Sequence, residues 1–255
     1  MKTILITGAS SGIGRELARV YAEKNNNLFI TARRGDKLKE LKGELEAKHN
    51  ISVDYFPLDL SQPASAEILY AKTSELSLKV DILINNAGFG IYDEFLDSEL
   101  LRNEMMLNLN ILSLTKLSHF YASDMIARGG GQIVNISSMA AFQPVPFMAT
   151  YAASKAYVLS FSEALAYELK PKNVFVTAIC PGATRSEFGD TAGFKSIFES
   201  KGVPSSRDLA IFAYKAVKKK KVMAMHGAKN SFMAFGQRFV PRFLVTKITA
   251  SIIKE

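Results

Sequence analysis

Thr3-Ile4-Leu5-Ile6-Thr7-Gly8-Ala9-Ser10-Ser11-Gly12-Ile13-Gly14 opens the chain, and a helical pattern through Leu17, Ala18 and Tyr21 follows it. A β-rich run, a glycine loop and a helix in this order form a unit that can hold a phosphate. Glycines permit the tight turn and the close approach of backbone to a pyrophosphate. The free N–H groups and dipole of the helix N-terminus then attract its charge. The spacing of three residues and then one between glycines departs from the commonest dinucleotide fingerprint, and an ordinary glycine turn would use the same residues. Further apolar runs near 27–32, 52–57, 80–84, 132–137, 173–179 and 222–225 alternate with helical patterns. This alternation predicts an α/β fold with parallel strands joined by crossover helices.

Downstream, Tyr151 and Lys155 stand four apart on a predicted helix, where they share a face and can act on one ligand. A phenol ionises near pH ~10, so proton exchange at neutral pH needs a neighbouring positive charge, which Lys155 is placed to supply. The run Gln132-Ile133-Val134-Asn135-Ile136 ends in Ser137-Ser138, putting a hydroxyl at a strand's end, where open α/β sheets bind ligands. By itself a Tyr-x-x-x-Lys pair also fits a solvated helix face.

The glycine loop, Asn85-Asn86-Ala87-Gly88, Ser138, Tyr151, Lys155 and Pro181-Gly182, in this order, resemble the short-chain dehydrogenase/reductase family over roughly residues 3 to 190. The resemblance implies a Rossmann-type doubly wound parallel sheet of about seven strands in a three-layer α/β/α arrangement. It also implies an NAD- or NADP-dependent oxidoreductase that passes a hydride between nicotinamide and a carbon bearing oxygen. In that chemistry Tyr151 gives or takes the proton, Lys155 stabilises the tyrosinate and holds the ribose, and Ser138 bonds the substrate oxygen. An asparagine completes a proton relay. Asn110 best fits the family's spacing, with Asn108 as its competitor.

Cofactor contacts are expected from Gly8, Ser10, Ser11, Gly12, Ile13 and Gly14, and also from Tyr151 and Lys155. By resemblance, Asp59 and Leu60 meet the adenine, Asn86, Ala87 and Gly88 pass the adenosine ribose, and Pro181, Gly182, Thr184 and Ser186 border the nicotinamide. The stretch Ile30-Thr31-Ala32-Arg33-Arg34 follows the second strand, where a carboxylate would select NAD and a guanidinium the extra phosphate of NADP. Arg33, aided by Arg34 or Ser10, therefore favours NADP(H) over NAD(H), although either arginine also fits a surface charge. Met139, Phe142, Phe147, Met148, Phe188 and Phe194 join Ser138 and Tyr151 as candidate walls of an apolar substrate pocket. Each of these apolar residues fits ordinary core equally well. The expected substrate is a small carbonyl or alcohol compound with an apolar body; the alternative is an NADP-binding regulator, or a membrane-surface or partner-binding protein using its basic tail.

Composition agrees. A chain of 255 residues can bury a large core as one domain, and 48% hydrophobic with 22% charged residues suits a globular protein. No run reaches eighteen apolar residues and the first strand begins almost at once, so neither a membrane span nor a signal peptide is expected and the cytoplasm is the expected location. Cys180, the one cysteine, reads as a buried strand thiol, and His49, His119 and His226 show no ligand spacing, so no metal is predicted. Residues 186–204 read as a substrate loop.

The formal charge of +8 is uneven: residues 209 to 255 hold ten basic residues and one acid. Within the tail at 229–255, Phe232, Phe235, Phe239, Phe243, Leu244, Ile248, Ile252 and Ile253 recur at helical spacings, with a break near Pro241. The expectation is that this stripe packs on the chain's own core or on a second copy, with peripheral membrane contact as the less favoured use and nucleic acid excluded. Family resemblance implies a homodimer or homotetramer through helices near 100–127 and 150–170.

Overall fold

The computed structural model describes residues 1–193 and 202–253. Seven strands form one sheet in the order β3-β2-β1-β4-β5-β6-β7, with every pair parallel. They are β1 (Thr3–Thr7), β2 (Asn27–Ala32), β3 (Val53–Pro57), β4 (Ile82–Asn85), β5 (Gly131–Ile136), β6 (Val174–Cys180) and β7 (Met223–Met225). Period-two alternation sends side chains to both faces. Ile4 and Ile6 of β1 join one buried cluster and Leu5 the other.

Helices α1 (Gly12–Ala22) and α2 (Gly35–Lys48) contribute Leu17, Ala18, Tyr21, Leu38, Leu41 and Leu45 to the first cluster. The second takes Leu69 from α3 (Ser65–Glu75), Leu117 and Tyr121 from α5 (Leu114–Ala127), and Ala166 and Leu169 from α6 (Ala149–Leu169). Both faces of the sheet are thus dry, and each fully buried Leu or Ile contributes about 1.5–3 kcal/mol. Because β1 lies between β2 and β4, the strand order reverses at the carboxyl end of β1. In open α/β sheets a ligand crevice lies at such a point.

Between α4 (Leu100–Leu107) and α5 the chain makes one π-helical stretch, Asn108–Ser113. Such wide turns often accompany functional sites. The segment after β6 includes the short α7 (Phe188–Ala192), and α8 (Ser206–Lys218) then packs back on the first cluster through Leu209 and Ala213.

The tail forms two further helices, α9 (Ala228–Gly236) and α10 (Arg242–Ile253), separated by a single turn, Gln237–Phe239, and Pro241. The break near Pro241 is as expected, but most of the stripe does not pack on the chain's own core. Phe232, Phe235, Phe239, Phe243, Ile248 and Ile252 are all exposed, because the small residues Ala234, Val245 and Thr249 occupy the inward positions.

Candidate active site

One cavity of about 480 Å³ runs along the carboxyl ends of β1, β4, β5 and β6. Its first wall is the glycine loop. Helix α1 begins at Gly12 with no side-chain cap and no acidic residue in its first turn, so its N–H groups and positive dipole end are left for a ligand. The loop admits no bulk. A Cβ on Gly14 would overlap the Gly8 carbonyl oxygen and the Asn86 amide, which itself donates to Thr7 O (2.9 Å) and Gly8 O (3.2 Å). Thus Asn86 braces the loop from the neighbouring strand.

At the opposite end, β5 delivers Ser138 and α6 delivers Tyr151 and Lys155. The Ser138 hydroxyl accepts from Ala140 N (3.1 Å) and hydrogen-bonds with the Tyr151 phenol. Lys155 Nζ donates to Ile136 O (3.0 Å) and lies 5.8 Å from the centroid of the Tyr151 ring. Burial pushes the phenol up to about 12, with the Ser138 hydrogen bond acting weakly the other way. The same burial pushes the Lys155 ammonium down to about 8. Burial thus acts on both groups against their charged forms. Desolvation outweighs a charge held at this distance.

Asn110 sits inside the π-helical stretch, 1% exposed. Its amide donates to Phe89 O (3.1 Å) and Ser154 Oγ (3.1 Å) and accepts from Phe89 N (3.3 Å). It does not line the cavity; it stands behind Gly88, where an added Cβ would come within 2.8 Å of Asn110 Oδ1 and 3.3 Å of Lys155 Nζ. Asn108 is half-buried in the same stretch.

Every residue expected at the cofactor lines this cavity: Gly8, Ser10, Ser11, Gly12, Ile13, Gly14, Arg33, Asp59, Leu60, Asn86, Ala87, Gly88, Tyr151, Lys155, Pro181, Gly182, Thr184 and Ser186. Arg33 is exposed and makes no ion pair among the described residues. Arg34 instead donates to Ser10 Oγ (3.2 Å) and to Glu187 (2.8 Å), tying the glycine loop to the segment before α7. That strap was not foreseen, since nothing in the sequence links positions 153 residues apart.

Met139, Met148 and Phe188 line the cavity, with Phe188 against the Tyr151 ring at 5.4 Å. Phe142 and Phe147 do not. Phe142 packs with Leu159, Ala178 and Cys180, where small strand residues leave room for a ring. Phe147 adopts a left-handed backbone (φ 64) and turns to the Tyr92 ring, 5.8 Å away. Phe194 lies outside the described residues. Walls that the sequence reading missed are Phe89, Gln143, Val145 and Ile253, none of which belongs to a motif. Cys180 is fully buried, and desolvation pushes its thiol up to about 12, so it is no nucleophile here.

The family model for short chain dehydrogenases matches residues 2–194. The probable oxidoreductase EphD of Mycobacterium tuberculosis is 34% identical over 192 residues, 75% of this chain and 32% of that protein. Ketoacyl reductase HetN of Nostoc is 30% identical over 220 residues, covering 86% of this chain and 76% of its own. The chain thus spans about a third of the mycobacterial relative and about three quarters of the cyanobacterial one. Among solved structures, a short-chain dehydrogenase from Sphingobium yanoikuyae in complex with NADPH superposes with a TM-score of 0.85 at 32% identity, covering 94% of both chains. With the model matching three quarters of its length and the Ser138–Tyr151–Lys155 cluster at the sheet's carboxyl edge, the chain belongs to the short-chain dehydrogenase family.

Proposed function

We propose that this chain is an NADP(H)-dependent oxidoreductase acting on the carbonyl or hydroxyl carbon of a small apolar substrate. The carrying observation is the convergence of Ser138, Tyr151 and Lys155 at one end of a cavity whose other end is a bare helix N-terminus. The residues fit a dinucleotide: the Gly14 cradle excludes any side chain, and the Arg33 guanidinium, without an ion pair among the described residues, borders the same cavity. Bound there, the nicotinamide cofactor supplies or accepts the hydride.

The chain's own residues do the rest. Ser138 accepts from Ala140 N–H and hydrogen-bonds with the Tyr151 phenol, so a substrate oxygen that enters between the two hydroxyls takes over the Ser138 O–H. Tyr151, protonated at neutral pH, donates its proton to that oxygen as a general acid when a carbonyl is reduced and takes it back when an alcohol is oxidised. Lys155 spends one N–H on Ile136 O and retains two for the ribose and the nascent phenolate. Asn110, rather than Asn108, is the relay residue, because its carboxamide oxygen faces Gly88 beside Lys155 Nζ.

Arg33, with Ser10 and Arg34, takes the extra phosphate of NADP; Asp59 and Leu60 border the adenine, and Thr184 and Ser186 the carboxamide. Met139, Met148 and Phe188 give the substrate side its apolar character. We assign the chain one dinucleotide-binding and catalytic domain, a cytoplasmic location, and a homodimer or homotetramer using the exposed Leu112, Tyr157 and Tyr167 near α5 and α6.

The test is NADPH consumption against a panel of apolar ketones and aldehydes, with Tyr151→Phe beside the wild type. Turnover should fall about 10²- to 10⁴-fold in the variant. NADPH should raise the melting temperature more than NADH at equal concentration. Equal shifts from the two cofactors would refute the NADP assignment, and undiminished turnover in Tyr151→Phe would refute the acid.

A further inference from the structure

Helices α9 and α10 are built inside out. In α10 the inward stripe, four residues apart, is Val245, Thr249 and the partly buried Ile253. The adjacent outward stripe, Leu244, Ile248 and Ile252, carries larger apolar side chains that are 39%, 54% and 59% exposed. In α9 the buried residue is Ala234, while Phe232 is 77% exposed and Phe235 meets Phe239 edge to face with ring centroids 5.4 Å apart. A helix that serves only its own core turns its large apolar residues inward. A run of exposed rings of this kind marks a surface that something else covers.

Charge says what covers it. Lys229, Arg238, Arg242 and Lys247 are exposed among these rings, and no acidic residue occurs from 209 to 253. None of the four makes an ion pair among the described residues, so their charge is available to an outside partner. A second copy related by a two-fold axis would set these cations against one another without compensating acids. Phenylalanines flanked by unpaired Lys and Arg suit the acyl boundary and the headgroups of an anionic lipid leaflet. The 12 described residues of α10 reach about 18 Å, short of a hydrocarbon core of about 30 Å. Among the described residues no helix is long and apolar enough to cross a membrane.

We propose that α9 and α10 are a docking face for an anionic bilayer surface. The face ends at the active-site cavity, because Ile253 lines it and the Ile253 carbonyl accepts from the Tyr92 hydroxyl (3.1 Å). Resting on the oxidoreductase reading, this places the entrance for an apolar substrate beside the lipid in which such a compound dissolves.

Co-sedimentation of the full chain with phosphatidylcholine vesicles, with and without phosphatidylglycerol, tests it in the absence of cofactor and substrate. Wild type should pellet with the anionic vesicles only, and added salt should release it. Combined Lys229→Glu, Arg238→Glu, Arg242→Glu and Lys247→Glu should weaken binding at least about 100-fold. Phe232→Ser with Phe243→Ser should weaken it about tenfold at unchanged melting temperature. Wild type left in the supernatant at low salt overturns the proposal, as does equal binding by the variants. A dimer that the phenylalanine variant dissolves, without any vesicle binding, assigns the face to a second copy and overturns it too. Because no turnover is read, Tyr151→Phe should pellet like wild type, which separates failure of the docking face from failure of the catalytic reading.

Discussion

Helices α1 and α10 have similar lengths, 11 and 12 residues, and opposite constructions. α1 turns Leu17, Ala18, Val20 and Tyr21 inward and presents Arg15, Glu16 and Arg19 outward, where the two arginines pair with Glu40 and Glu44 of α2 and Glu16 pairs with Arg19. α10 turns Val245 and Thr249 inward and presents Phe243, Leu244, Ile248, Ile252 and an unpaired Lys247. One helix draws its stability from its own protein. The other keeps its apolar and electrostatic potential unspent, so amphipathicity alone does not reveal which face of a helix meets the core.

Core truncation breaks the comparison most directly. Leu17→Ala should destabilise the fold by about 2–5 kcal/mol, since a fully buried leucine leaves a cavity. Ile248→Ala should stay within about 0.5 kcal/mol in the same urea titration, since more than half of that side chain is already in water. Equal losses would mean that α10 packs as α1 does.

Next comes the buried cation at the active site, set against the free ones of the tail. With the Lys155 ammonium pushed down to about 8, kcat/KM for reduction should hold through neutral pH and then fall about tenfold per pH unit above that value, because the uncharged amine no longer stabilises a nascent phenolate. A profile flat to pH 10 contradicts the role given to Lys155.

Smallest is the paired surface of α1. The Arg19 guanidinium holds the Glu44 carboxyl down at about 2, so the pair's contribution is complete above the ordinary value of 4.5 and is lost as pH falls toward 2. Glu44→Gln should cost less than about 1 kcal/mol at pH 7, as partly exposed pairs do, and progressively less as pH falls through 2. A cost that persists in acid would point to packing instead of charge.

All seven strands were legible, because β1 to β7 are short apolar runs set off by turns and helical periods, and their ends moved by no more than two residues. The glycine loop, Ser138, Tyr151 and Lys155 were legible because their roles depend on local spacing: Tyr151 and Lys155 share a face of α6 wherever that helix docks. What was not legible depends on distant partners. Phe142 and Phe147 both shortly precede the pocket residue Met148 in sequence, yet one goes to Cys180 and the other to Tyr92, by choices made on β6 and on the loop after β4. The Arg34–Glu187 strap and the Ile253 wall likewise join segments that no periodicity connects. The depressed ammonium and raised phenol were hidden for a different reason: spacing reports proximity, while burial sets the cost of charge.

Gly88 binds three positions into one unit of inheritance. A single methyl group there would collide with Asn110 Oδ1 and crowd Lys155 Nζ. Any lineage that replaces this glycine must therefore rework residues 22 and 67 positions further along the chain in the same step, and a library that randomises position 88 alone will return glycine.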